Sequence, residues 1–294
     1  MKLELDSWAR DLGWSVAGAS APDLVEDTRD HFRIWLERHK GPQMNYLARR
    51  ANERLNPKEY FPEAQSVLCF GLYYFPGWAE GPVKVSNYAW TEDYHHLLQK
   101  KLQLTLEKLH EVFGPFSARI CVDTAPVLEK VFAKQAGLGW QGKNTLLLHP
   151  EFGSALFLGE IFTSLSLENF ELKLPVTDHC GTCRRCIDAC PTEALEPYVL
   201  HAEKCISYWT LEHKGAFTDS TPQSFQGWVA GCDICQEVCP WNRKLIPLPS
   251  TPVSEDFKNL TRERISDPSW VNGVASTALS YVPAENWRRN LSRS

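Results

Sequence analysis

Eight of the ten cysteines fall between positions 180 and 239, and their spacing constrains this chain more than any other feature. The first run is Cys180-x2-Cys183-x2-Cys186-x3-Cys190-Pro191, and the second is Cys232-x2-Cys235-x3-Cys239-Pro240, with Cys205 between them. Thiols this dense make a small segment held by what it ligates as much as by apolar burial. The start, "MKLELDSWARDLGW", is charged at positions 2, 4, 6 and 10 and has no apolar leader. The expected location is therefore the cytoplasm, a reducing compartment where structural disulfides are rare.

The first run has the spacing of bacterial ferredoxins, in which three close thiolates bind one 4Fe-4S cluster and the fourth ligates its neighbour. By that crossover, Cys180, Cys183, Cys186 and Cys239 form one ligand set, and Cys190, Cys205, Cys232 and Cys235 the other. Structural zinc is the alternative, since paired C-x2-C motifs also suit a tetrahedral ion, but zinc has no need of two Cys-Pro closures in this register. Cys69 and Cys121 lie inside strand patterns and read as core.

The first 170 residues carry alternating helix and strand signals. Helices are expected over residues 30–39, 92–113 and 127–136, and strands at "SVLCFGLYYF", "ARICVDT", "NTLLL" and "SALFLGEIFT". The expected architecture is a mixed α/β domain of α+β class over residues 1–170, a ferredoxin-like two-cluster module over 171–246, and an extended tail with one short helix over 247–294. No apolar stretch approaches the ~20 residues of a membrane span. Net charge is −5, so nothing global argues for nucleic acid. Basic pairs such as Arg49 and Arg50, Arg184 and Arg185, and Arg288 and Arg289 read first as solvated surface.

Two clusters move electrons singly, so bond chemistry belongs in the large amino-terminal domain. It contains no GxxxxGK[ST], and its GxGxxG spacing, Gly137 to Gly142, follows a helix and precedes a strand, the reverse of a dinucleotide fingerprint. Its glycine-rich passage, "AGLGWQGKN", fits a turn or a cofactor lining equally well. Asp123 ends the strand "ICVD", where it can be a functional group or simply a cap or turn residue.

Taken together, "VDTAPVLEKVFAKQAGLGWQGKNTLLL", "YAWTEDYHHLL", "HCGTCRRCIDACPTEAL", "KCISYWTLEHKG" and "GCDICQEVCPWN" resemble the epoxyqueuosine reductases, from about Met44 to Asn242. The resemblance implies a cobalamin-binding domain related to reductive dehalogenases, two 4Fe-4S clusters, an external low-potential electron donor, and reduction of epoxyqueuosine at the wobble position of tRNA. It places Asp123 at the family's proton donor. It places Arg54, Ser86, Asn144, Ser207, Gly231 and Asp233 near the corrinoid, and Lys214 at the tRNA. It further implies a monomer without membrane contact, in a short form lacking carboxy-terminal helical repeats. The D-x-H-x-x-G pattern of a histidine lower ligand is incomplete: Asp93-Tyr94-His95 is followed by His96, Leu97 and Leu98. Cobalt is thus expected without a protein imidazole, and "DYH" is expected to serve helix capping and packing.

An ordinary Asp, with a pKa of ~3.9, is ionised at neutral pH. A proton-donating Asp123 is therefore expected to be enclosed and desolvated. A corrinoid reductase of a small molecule such as an organohalide, and a two-cluster electron-transfer protein, are the competing functional readings.

Overall fold

The computed structural model describes residues 2–38 and 43–294. Helix α1 (Leu5–Asp11) leads into β1 (Val16–Ser20), a strand buried on both faces. After α2 (Glu26–Arg38) come three short helices, α3 (Asn45–Arg49), α4 (Ala51–Leu55) and α5 (Pro57–Tyr60), and then β2 (Ser66–Tyr73). Helix α2 begins four residues earlier than the apolar pattern indicates, and His39, its expected end, lies outside the described residues.

Strand β3 (Lys84–Val85) is short; α6 (Tyr94–Phe113) is the longest helix. Asp93 caps α6 by accepting the N–H of His95, and Gly114 ends it at φ +76°, a conformation that suits a residue without Cβ. Then follow β4 (Ala118–Cys121), α7 (Glu129–Gln135), β5 (Trp140–Gln141) paired with β6 (Leu147–Leu148), and β7 (Leu156–Thr163). Of "NTLLL" only its last two residues become strand.

The main sheet has the order β1-β2-β7-β4 and is antiparallel throughout, which makes the domain α+β. Strands β1 and β2 are consecutive and adjacent, whereas β7 returns between β2 and β4. Trp14, Phe70, Leu98, Leu102, Leu109, Ile161 and Phe170 fill one side, while Phe132, Ala133, Leu138 and Phe162 fill the other. Cys69 and Cys121 are core, as expected, and the register places both opposite Glu160 of β7. Near the domain's end, Leu3 bridges to Phe170.

The cysteine-rich segment contains α8 (Arg185–Asp188), the hairpin β8 (Leu195–Glu196) and β9 (Val199–Leu200), a π-helical turn at Tyr208–Glu212, β10 (Trp228–Ala230) and α9 (Ile234–Glu237). Strand β10 pairs in parallel with β3, so part of the amino-terminal region belongs structurally with this segment.

The tail differs from the extended form expected of it. It folds into α10 (Pro252–Lys258), α11 (Arg262–Ser266), α12 (Trp270–Gly273) and α13 (Ala284–Leu291). Phe257, Leu260, Ile265, Trp270, Leu279, Val282 and Trp287 make an apolar cluster with Val83, Val85, Trp90, Val229 and Ala230. Thr251 supplies a capping box for α10, which is why a Ser- and Thr-rich stretch starts a helix instead of running on as coil. The short helix anticipated near the end is α13. Among the described residues no helix is long and apolar enough to cross a membrane.

Candidate functional site

Asp123 stands two residues beyond β4, at φ +46°, a left-handed conformation uncommon for a residue with a side chain. The turn is held from α7, where the Glu129 carboxylate accepts the Asp123 N–H at 2.5 Å. The Asp123 side chain is 51% exposed, so its protein neighbours alone do not supply the desolvation expected of it. The reason is position: the strand has ended and the carboxylate projects beyond the sheet.

What Asp123 meets instead is His95. His95 Nε2 lies 3.2 Å from Asp123 Oδ2, and His95 Nδ1 lies 2.6 Å from Asp93 Oδ1. The Tyr94 ring stacks on the imidazole at 4.1 Å. The hydrogen bond to Asp123 is the strongest influence raising the His95 pKa; partial burial opposes it, and the bond to Asp93 reinforces it. "DYH" does cap the helix, as read from sequence, and it also delivers an imidazole to the strand-end carboxylate.

Three parts of the chain meet around Asp123. Burial, then the charges of Glu212 and Asp123, push the Tyr46 hydroxyl up to about 12. Burial and the same two carboxylates raise Tyr281, a residue of the tail. Yet Tyr46 and Tyr281 as whole residues are 43% and 55% exposed. Both stand partly open to solvent within electrostatic reach of Asp123. Arg54 is 6% exposed, donates to the Tyr46 carbonyl at 3.3 Å, and has no carboxylate at ion-pair distance among the described residues. Sequence reasoning missed Tyr46, Glu212 and Tyr281; nothing local in the sequence marks Tyr281.

The other predicted cofactor residues gather at a seam. Ser86 Oγ donates to Asp233 Oδ1 at 2.5 Å, and the Asn87 N–H donates to Asp233 Oδ2 at 2.8 Å. Gly231 has φ +74°, and a Cβ there would lie 2.4 Å from the Ser86 Cβ. Asn144 donates to the Cys235 carbonyl at 3.4 Å. Ser207 sits beside Cys205: burial raises that thiol, and hydrogen bonds from the Tyr208 and Ser207 N–H groups work against the rise. These polar groups are therefore engaged within the protein, as the wall between amino-terminal domain and cysteine segment. Lys214 is exposed, in a loop fixed by Gln43 and by the Arg289 guanidinium, which donates to the carbonyls of Trp209, His213 and Gly215.

The thiols act on one another within each run and between the runs. Burial raises Cys186, with Cys239 and Cys180 adding to it, and Cys180 and Cys183 likewise add to burial at Cys239. Burial raises Cys232, with Cys235 and Cys205 adding, while Cys205, Cys186 and Cys190 are among the groups that raise the buried Cys235. Among the described residues no three His, Cys, Asp or Glu side chains are close enough to hold a single metal ion, whereas tetrahedral zinc draws its thiolates to within about 4 Å of each other. From the amino-terminal domain, Lys143 donates to the carbonyls of Gly181 and Cys183 and pins the first run.

Residues 179–242 match the family model of a 4Fe-4S double cluster binding domain, and residues 54–124 match that of epoxyqueuosine reductase QueG, DUF1730. An epoxyqueuosine reductase of Leadbetterella byssophila is 38% identical over 98% of this chain and 96% of its own. A crystal structure of an epoxyqueuosine reductase with an epoxyqueuosine-modified tRNA-Tyr stem loop superposes with a TM-score of 0.82, at 28% identity, over 97% of this chain and 78% of that one. A structure of the Bacillus subtilis enzyme, with its catalytic aspartate loop swung out of the active site, gives 0.80 at 26% identity over the same shares. Reductive dehalogenases lie further off, at 0.41 and 18% identity.

Proposed function

This chain belongs to the epoxyqueuosine reductase family, and from that premise we infer how its residues divide the work. It is an oxidoreductase with a double 4Fe-4S cluster domain that reduces epoxyqueuosine in tRNA to queuosine. Two electrons and two protons enter, both carbon–oxygen bonds of the epoxide break, a carbon–carbon double bond forms, and one water leaves.

Cys180, Cys183, Cys186 and Cys239 hold one cluster, and Cys190, Cys205, Cys232 and Cys235 hold the other; the influence of Cys180 on Cys186 and Cys239, and of Cys205 on Cys232 and Cys235, supports this division. Electrons arrive singly from an external low-potential donor. The cofactor that would gather them is cobalamin, which when bound supplies a strongly nucleophilic reduced metal able to attack an epoxide carbon. The residues near Asp123 suit such a group: Tyr46 and Tyr281 stand partly open to water, and a buried guanidinium, that of Arg54, lacks a carboxylate partner among the described residues. Arg54 would meet the corrinoid's amide rim. Ser86, Asn144, Ser207, Gly231 and Asp233 fix the wall between corrinoid and cluster. His95 is engaged by two carboxylates, which fits a cobalt without a protein imidazole.

The single observation that carries this reading is the exposed Asp123 carboxylate on a left-handed turn beside the His95 imidazole. Asp123 protonates the oxygen as the epoxide opens. The target is the wobble nucleoside, turned out of the anticodon loop toward Asp123, with the Lys214 loop touching the tRNA backbone. Anaerobic incubation with epoxyqueuosine-containing tRNA and a reductant, with and without cobalamin, followed by nucleoside analysis, tests it. Queuosine is expected only with cobalamin, and equal product without it would overturn the cofactor assignment.

A further inference from the structure

The reaction consumes two protons, while the acid assigned to it is one carboxyl group open to water. We propose that His95 is the proton reservoir of Asp123, with Asp93 holding the imidazole in place. This rests on Asp123 being the acid and adds the source of its protons.

The geometry has three parts. His95 Nε2 faces Asp123 Oδ2 at 3.2 Å, so an imidazolium N–H points at the carboxylate. His95 Nδ1 faces Asp93 Oδ1 at 2.6 Å, so the neutral ring keeps its hydrogen on Nδ1 and leaves Nε2 as the site that loads and unloads. Asp93 also accepts the His95 N–H as cap of α6, and Tyr94 stacks on the ring, so the imidazole is fixed from two sides. The His95 side chain is 28% exposed, which leaves a route for reloading from solvent.

Each transfer balances. As oxygen gains charge on leaving carbon, the His95 Nε2–H bond breaks and an Asp123 O–H forms, and that O–H breaks in turn as the substrate O–H forms; water then returns a proton to Nε2. Two passes deliver the two protons that leave with oxygen as water. The drive is the basicity of the opened oxygen, far above that of imidazole.

The groups facing His95 set its pH response: Asp93, Tyr94 and His96 from α6, Asp123 from its turn, and Glu129 from α7. The carboxylates raise its pKa, so the loaded form persists to higher pH. Activity is present below that pKa and lost as pH rises through it.

The test uses the cluster- and cobalamin-loaded enzyme in single turnover, with iron and cobalamin content as controls for folding. His95→Gln, which preserves hydrogen bonding without a transferable proton, is expected to slow turnover about 100- to 1,000-fold with tRNA affinity unchanged. His95→Ala is expected to recover with added imidazoles, in an order that follows their pKa. Asp93→Asn, which keeps the helix cap, is expected to move the alkaline limb of the pH profile to lower pH. A near-wild-type rate in His95→Gln, or a recovery indifferent to imidazole pKa, overturns the reservoir while leaving Asp123 as the acid. An active Asp123→Asn enzyme removes the acid and the reservoir with it.

Discussion

Asp233, fully buried beside Cys232, accepts hydrogen bonds from Ser86 and Asn87 of the amino-terminal domain. One carboxylate thus joins the cluster-binding segment to the catalytic domain. Its removal leaves several buried donors unsatisfied, each costing about 1–3 kcal/mol. Asp233→Ala is expected to lower unfolding stability by roughly 2–4 kcal/mol on that basis, as read from anaerobic denaturant melts. Asp233→Asn, which keeps one acceptor, is expected to lose less.

The thiol neighbour sets make a prediction about Cys190, which sits in the first run but is grouped with Cys205 and the second. Cys190→Ala is expected to remove about half of the iron, following the two-cluster ligand pattern. Its electron paramagnetic resonance spectrum should match that of Cys205→Ala and differ from that of Cys183→Ala. A match to Cys183→Ala would refute the crossover.

Glu160 lies at the centre of the main sheet, and neither of its oxygens has a hydrogen-bond partner among the described residues. Burial raises its pKa well above the usual carboxylate range, and Glu129 adds to the rise. The folded protein therefore keeps a proton that the unfolded chain gives up above about pH 4.5, near the ordinary Glu value. Stability should fall as pH rises beyond that point, with a slope approaching about 1.4 kcal/mol per pH unit from this one group. Glu160→Gln should lose that part of the slope, measurable by thermal melts between pH 5 and 8.

Arg289, which reads from sequence as surface charge, is a brace. Its guanidinium donates to three carbonyls around the Lys214 loop and lies over the Phe217 ring at 4.6 Å. A lysine cannot span those acceptors. Arg289→Lys is expected to weaken tRNA binding several-fold with iron content unchanged, whereas Lys214→Ala should lower the salt dependence of binding by about one unit of slope. Fluorescence titration across salt concentrations separates the two.

The double-cluster segment was legible because its chemistry is written in short spacings: Cys180, Cys183 and Cys186 need only local chain to converge. Helix α6 was legible for a similar reason, since its apolar stripe, Asp93 cap and Gly114 stop lie within one segment. The tail was not. Phe257, Ile265, Trp270 and Trp287 are isolated on short helices, and the surface that buries them belongs to Val83, Val85 and Trp90, far back in the chain. The surroundings of Asp123 were illegible for the same reason. The carboxylate could be picked from a strand end, but its exposure and its imidazole partner follow from how a turn and a helix start are set side by side.

The parallel pairing of Lys84–Val85 with Trp228–Ala230 also orders events during synthesis. When the first half of the chain leaves the ribosome, the apolar residues Val83, Val85 and Trp90 have none of their later cover, because it comes from β10 and the four tail helices. The same late segment brings Tyr281 within electrostatic reach of Asp123. The amino-terminal domain therefore cannot mature by itself, and a nascent chain acquires the full surroundings of Asp123 only after the cysteine-rich segment has been made and drawn into place.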